Sequence, residues 1–322
     1  MKKYYLPIYY ALISFLFTLQ SIVYINDVGD QLSFAKMAQH YGFFEFALYR
    51  YQTWSSRLLI ESLTMFMSAH YLIFDITMFI AVACFFYCFN GIFLNDGKYW
   101  GLHFITPAIF LLTFPSIFFT SAGLIATVTN YLFPMIAFVI GWYCLEQKGR
   151  AWLVLSLPFL ILACMQEQFT IFALITFVFY LLKDWLKKAI NYNYLVGSAL
   201  ALVGTISALV APGSAHRTAI ETKAWYPGFD KLSLAVKVAK GYMETNRVLF
   251  VTSELTIIYL LLITILVLSL LKRHYLASFL SGSVLYTVLS NRLGSTSILT
   301  AVQRVIDFQN QQPITKFSFK AN

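Results

Sequence analysis

The sequence predicts an all-α polytopic membrane protein, one bundle of about nine transmembrane helices, and three observations carry that reading. Of its 322 residues, 59% are hydrophobic, 18% aromatic and only 11% charged, where an ordinary soluble domain has roughly a quarter of its residues charged. Mean hydropathy is +0.70. Apolar runs long enough to cross a bilayer recur along the chain, and the loops between them alternate in basic content. The net charge of +9 is spread over short loops rather than gathered in one basic domain, which argues against nucleic acid as a partner.

The first run, "YYLPIYYALISFLFTLQSIVY" at residues 4–24, holds no charge. It is about as long as a span requires and has no small-residue cleavage site before the acidic residues that follow, so it reads as a retained helix rather than a signal peptide. Further spans follow at 71–94, 101–119, 131–146, 152–165, 168–182, 194–211, 248–271 and 274–290. By parity one side collects Lys2 and Lys3, Lys98, Lys148 and Arg150, Lys183, Lys187 and Lys188, and Lys272 and Arg273. The positive-inside rule makes that side cytoplasmic, with the N-terminus there.

The outer side receives two long loops, 25–70 and 211–248, and the short turns "TSAGLIATVTN" and "MQEQ". In the first loop "FAKMAQHYGFFEFALYRY" and "RLLIESLTMFM" place apolar residues at helical spacing between charges, the pattern of amphipathic helices lying on the membrane surface; a later outer loop is expected to carry another. Residues 1–290 read as one transmembrane domain. Residues 291–322 turn polar and read as a tail, the shortened end of something larger. Cys84, Cys88, Cys144 and Cys164 lie inside apolar runs without metal-type spacing and read as packing residues; no metal site is predicted.

Candidate chemistry clusters on the outer side. Asp27 and Asp30, in "NDVGDQ", are three apart and so share one side of a helical turn at headgroup level, placed to act as a base or to hold a metal. The same pattern also serves as the N-terminal cap of the next helix. In "YRYQTWSSRLLIES", Trp54 and Arg57 share a face, with Arg50 a turn or two earlier. An Arg beside an aromatic can grip a phosphate bidentately or simply anchor the chain among headgroups.

Residues 152–182 must cross twice between basic loops, which leaves each crossing about 15 residues, or roughly 22 Å, for a core of about 30 Å. Glu167, in "MQEQF", is therefore expected in a recess below the outer surface, either as a functional group or in a local ion pair with an outer-loop Arg. In "APGSAHR", the Pro-Gly break followed by His216 and Arg217 suits an anion site or an interfacial anchor. Asn130 and Tyr131, in "TNYLFP", stand on the same outer side, where Tyr and Pro also serve to begin a helix.

Taken in chain order, "ND" after the first span, "WSSR", "SAG…NYLFP", the acidic residue of "QEQ" and "APGSAHR" resemble a group of bacterial membrane proteins related to the GT-C glycosyltransferases. The resemblance covers about residues 20 to 220 and is greatest at "WSSR" and "APGSAHR". It implies a GT-C-like bundle and transfer of a sugar from a polyprenyl-phosphate donor to a cell-envelope glycan on the outer face of the plasma membrane. It implies Asp27 as base, with Asp30 as neighbour or substrate contact. Arg57 and Arg217 would hold the donor phosphate, and Glu167 would contact the acceptor or donor sugar; by their own place on the outer side, Trp54, Asn130, Tyr131 and His216 are further substrate-site candidates. The carboxylates are spaced Asp-x-x-Asp rather than adjacent, which leaves the choice of base open, and a divalent cation is an open cofactor.

The alternative class is a multi-span transporter, or a flippase or polymerase for lipid-linked glycans, with Glu167 as a proton or substrate site. The sequence shows no internal repeat and its acidic and basic landmarks gather at the outer side, which favours the transferase.

Overall fold

The computed structural model describes residues 2–24, 29–94, 101–113, 119, 122–188, 191–225 and 228–237, and among them there is helix and no strand. The chain begins with α1 (Lys2–Thr18) and α2 (Gln20–Tyr24). Three shorter helices follow, α3 (Gly29–Met37), α4 (Phe43–Thr53) and α5 (Leu58–Ala69), and then the long α6 (Tyr71–Phe93) and α7 (Leu102–Thr113). Next come α8 (Leu124–Thr127), a π-helical turn (Val128–Leu132) and α9 (Phe133–Glu146), continuous as one 23-residue helix. Then come α10 (Arg150–Cys164), α11 (Glu167–Leu186), α12 (Tyr192–Val210) and α13 (Pro212–Trp225).

Among the described residues, four helices are long and apolar enough to cross a membrane: Tyr71–Phe93, Leu124–Glu146, Glu167–Leu186 and Tyr192–Val210. Twenty-three residues reach about 34 Å, enough for a hydrocarbon core of about 30 Å. The helix Leu124–Glu146 sits at the centre, 89% buried over its most apolar window. Its sequence is apolar all round, as a helix surrounded by others requires. α6 and α10 pack against it, α1 pairs with α6, and α12 pairs with α11. The outward faces of the peripheral helices stay apolar, with Ile80, Val154, Phe179 and Leu209 all exposed. Such a belt fits a hydrocarbon surround and not water.

Several expectations change in detail. The first run is two helices, α1 ending at Thr18 and α2 beginning at Gln20, with the Leu19 amide still donating to Phe15 O (2.9 Å) between them. The central span starts at Leu124 rather than at 131. Polar Thr127, Thr129 and Asn130 fit inside it because each side chain bonds a carbonyl one turn back, on Gly123 (2.8 Å), Ile125 (2.7 Å) and Ala126 (2.9 Å) respectively.

α11 runs 20 residues, on through Lys183 and Asp184 to Leu186. The Lys183 ammonium lies 5.1 Å from the Tyr180 ring centroid, so the stem continues the apolar face while the charge stays at the end. Only α10 keeps the 15 residues expected of both crossings.

α5 is not an exposed amphipathic helix but is packed into the protein. Its Ile60, Glu61, Ser62, Thr64, Met65, Met67 and Ser68 are buried, with α3 and α4 packed over it. The expected spans 248–271 and 274–290, the tail 291–322 and residues 114–118 of the expected 101–119 span lie outside the described residues.

Candidate polar site at one end of the bundle

Three local features, two chain reversals and a π turn, build the site. The first lies between α4 and α5. Trp54 N–H and Ser55 N–H both donate to Arg50 O, at 2.8 and 2.9 Å, which closes α4. Ser55 and Ser56 are buried, and Ser55 Oγ accepts the Arg57 amide at 3.2 Å. Side-chain hydroxyls that satisfy the backbone locally are what lets a chain leave one helix and start another.

The second reversal is "MQEQ". Gln166 is fully buried, and its Oε1 accepts the amides of Gln168 (2.8 Å) and Phe169 (2.9 Å), capping α11. Glu167 is thereby fixed as the first residue of that helix. Met165 Sδ accepts the Leu59 amide at 3.4 Å, tying this reversal to the first turn of α5. Gly204 of α12 lies against the same corner: a Cβ there would meet Cys164 O and come within 2.6 Å of Thr170 Oγ1.

The third is the π turn Val128–Leu132, closed by the Phe133 amide on Val128 O. Such a turn holds an extra residue and re-aims the side chains around it. Pro134 follows and has no N–H to return to the preceding turn.

These elements bring one ion pair and its supports together. Arg57 Nε–H donates to Glu167 Oε2 at 2.8 Å and Ser56 Oγ–H donates to Glu167 Oε1 at 2.7 Å. Arg57 Nη1 donates to Asn130 Oδ1 at 3.3 Å, and the guanidinium carbon lies 5.2 Å from the Tyr131 ring centroid. Asn130 Nδ2 in turn donates to Thr64 Oγ1 (3.2 Å), which shares a 2.6 Å hydrogen bond with Thr129 Oγ1. Burial works against the charge on Arg57, but the Glu167 carboxylate outweighs it and holds the arginine pKa above its ordinary value. The pair is thus a fixed cation and its counter-ion among helices of the bundle.

A second cluster adjoins it. The Trp54 ring centroid lies 5.7 Å from the Arg50 guanidinium carbon and 5.8 Å from that of Arg217. Arg50 Nε donates to buried Glu61 at 3.0 Å, and Arg217 Nε donates to Glu221, one turn along α13, at 2.8 Å. α13 approaches closely because Gly213 has no side chain: a Cβ would meet Trp54 N and come within 2.6 Å of Ser55 N. "APGSAHR" therefore docks on "WSSR". An apolar hollow of about 130 Å³ opens beside Ser56, with Leu58, Met165, Val203 and Gly204 in its walls.

The structure brings together Arg57, Glu167, Asn130 and Tyr131, with Trp54 and Arg217 next to them. For Glu167, the arrangement present is the local ion pair rather than a carboxylate open to a sugar. His216 is exposed on α13. Asp30 is exposed in the first turn of α3, next to Gln31, whose amide donates to Ala122 O (3.2 Å) and whose Oε1 accepts the Ile125 amide (3.1 Å). That places the start of α3 at the start of the central helix. Asp27 lies outside the described residues. Among the described residues no three or more His, Cys, Asp or Glu group as metal ligands.

Sequence reasoning passed over Ser56, Thr64, Thr129 and the Arg50–Glu61 pair. It also passed over Asp75, the one carboxylate in the 71–94 run, although an ionisable group in a span is itself a signal. Set against known proteins, the chain matches no family, no characterised protein and no solved structure.

Proposed function

We propose that this chain is a membrane glycosyltransferase of the GT-C type. On this reading it is a bundle of about nine spans in the plasma membrane with a cytoplasmic N-terminus, and it moves a sugar from a polyprenyl-phosphate donor to a cell-envelope glycan on the outer face. One observation carries the reading. Arg57 of "WSSR" is held by Glu167, Asn130 and Tyr131, while "APGSAHR" packs on the Trp54 end of the same segment. Among the described residues, "WSSR", "NYLFP", "QEQ" and "APGSAHR", four of the stretches on which the resemblance rests, are therefore neighbours in space.

In the proposed reaction the Asp27 carboxylate takes the proton of the acceptor hydroxyl as its oxygen attacks the anomeric carbon. The bond from that carbon to the donor phosphate oxygen breaks, and its electron pair leaves with the lipid phosphate. Arg57 and Arg217 are the cations that would receive this negative charge. Arg217 is the freer of the two, since its pairing with Glu221 is a surface contact within one helix.

The test is transfer of radiolabel from polyprenyl-phosphate sugar to glycan in membranes carrying the wild-type chain or Arg217→Ala. Transfer that falls at least tenfold in the variant supports the reading. No transfer by the wild type, together with uptake of label into sealed vesicles, would replace it with a transporter.

A further inference from the structure

The second turn of α6 holds a carboxyl that the site above does not use. Asp75 is the fifth residue of the candidate span Tyr71–Phe93. Its Oδ1 is buried and has no hydrogen-bond partner, and the side chain's one described polar partner is the hydroxyl of buried Ser21 on α2.

No positive charge stands against it among the described residues. α1 brings Ser14, bonded to Phe79 O, and α2 brings Ser21 and Tyr24, whose ring packs on Phe119 at 5.3 Å. α9 brings Phe133 against Phe74, with ring centroids 6.2 Å apart. From α5, Glu61 is already paired with Arg50, and His70 at the α5–α6 corner is exposed, with its ring against Phe66 at 4.6 Å. Tyr71 precedes Asp75 by one turn. α7 brings His103, held at the far end of α6 by Leu94 O at 3.2 Å. The described ion pairs, Arg50–Glu61, Arg57–Glu167 and Arg217–Glu221, leave Asp75 out.

Asp75 as a whole is half-buried, but a carboxylate oxygen that meets no described donor or cation is costly in apolar surroundings. A carboxyl in that setting is neutralised by a proton, since among the described residues its neighbours offer one hydroxyl and one free oxygen, too few ligands for a metal ion. We propose that Asp75 is a proton-binding site within the membrane, a carboxyl that carries and exchanges a proton at neutral pH. Ser21 is its positioning residue: its hydroxyl holds one oxygen and leaves the other for the proton. The site stands apart from the Arg57–Glu167 pair and does not depend on the transferase reading.

The experiment uses the full chain in membranes, treated at neutral pH with dicyclohexylcarbodiimide, which reaches protonated carboxyls from the lipid, or with a water-soluble carbodiimide. Adducts are located by mass spectrometry. The expected result is modification of Asp75 by the lipid-soluble reagent, unchanged when potassium is replaced by sodium, with at least tenfold less modification by the water-soluble one. Ser21→Ala should label several-fold faster, because a hydroxyl donated to a carboxylate favours the charged form and its loss favours the proton.

Absence of an adduct at Asp75 in the wild-type chain overturns the proposal. So does equal labelling by both reagents, which would mean an ordinary water-facing carboxylate. Protection by sodium would assign the site to that ion instead. None of these outcomes bears on sugar transfer.

Discussion

Arg57 and Glu167, 110 residues apart in the chain, meet at 2.8 Å, with the arginine side chain 12% exposed and the glutamate 35%. The arginine is the fixed partner, since Asn130 and Tyr131 also hold it, and the glutamate sits at the rim. Removing either charge strands the other. Arg57→Ala or Glu167→Ala should each lower stability by about 2–3 kcal/mol, short of the full cost of a wholly buried pair because Glu167 is partly solvated. Thermal unfolding in detergent measures it. In a double-mutant cycle the two changes should couple by more than about 1 kcal/mol; additive losses would show that the pair is not a unit.

The docking of α13 on α4 depends on a missing side chain. Gly213→Val puts atoms where Trp54 N and Ser55 N already lie, at a cost of about 1–3 kcal/mol. Limited proteolysis should then cut α13 faster than in the wild type. Gly101→Ala, where a Cβ meets nothing within 4 Å, is the control and should leave the cleavage rate unchanged.

Side assignment is checked by cysteine labelling of intact cells. Cysteine at Ala219, exposed on α13, should react with a membrane-impermeant reagent from outside, and cysteine at Lys148, exposed between α9 and α10, should not. The reverse pattern would put the Arg57–Glu167 end of the bundle in the cytoplasm and remove the outward-facing donor from consideration.

If the chain is the proposed transferase, the two aspartates should separate by function. Asp27→Asn should reduce sugar transfer by roughly 10² to 10⁴ with insertion intact, the effect of losing a general base. Asp30→Asn should cost little, since that side chain is exposed in the first turn of α3 and contributes mainly to the helix end. Equal losses in both would instead indicate a coupled carboxylate pair or a shared metal.

What the sequence made legible was what periodicity and charge can carry. Apolar runs announced the four long apolar helices, and "APGSAHR" and "WSSR" stood out because Pro-Gly breaks and interfacial Trp and Arg are local signals. Their meeting is a tertiary fact with no local trace, as is the choice of Arg57 rather than Arg50 or Arg217 as the partner of Glu167.

Boundaries failed where side chains satisfy their own backbone. Thr127, Thr129 and Asn130 read as an outer turn because three polar residues break an apolar run, yet each returns its hydrogen bond to the preceding turn and the helix continues through them. The burial of α5 was hidden for a similar reason. Glu61 looks like a surface charge until Arg50, eleven residues earlier, is seen to neutralise it.

The π turn at Val128–Leu132 also bears on descent. It holds one residue more than an α-helical path over the same rise, so the difference between the two states of this helix is a single codon. Deleting one residue there would let the helix close as an uninterrupted α-helix and rotate everything before it by about 100° relative to α9. Asn130 would turn away from Arg57 while the apolar composition of the span stayed almost the same. Lineages with and without the residue would look alike in hydropathy and carry different sites, so a gap in this stretch, more than any substitution around it, is the mark by which relatives that keep the Arg57–Asn130 contact would be told from those that do not.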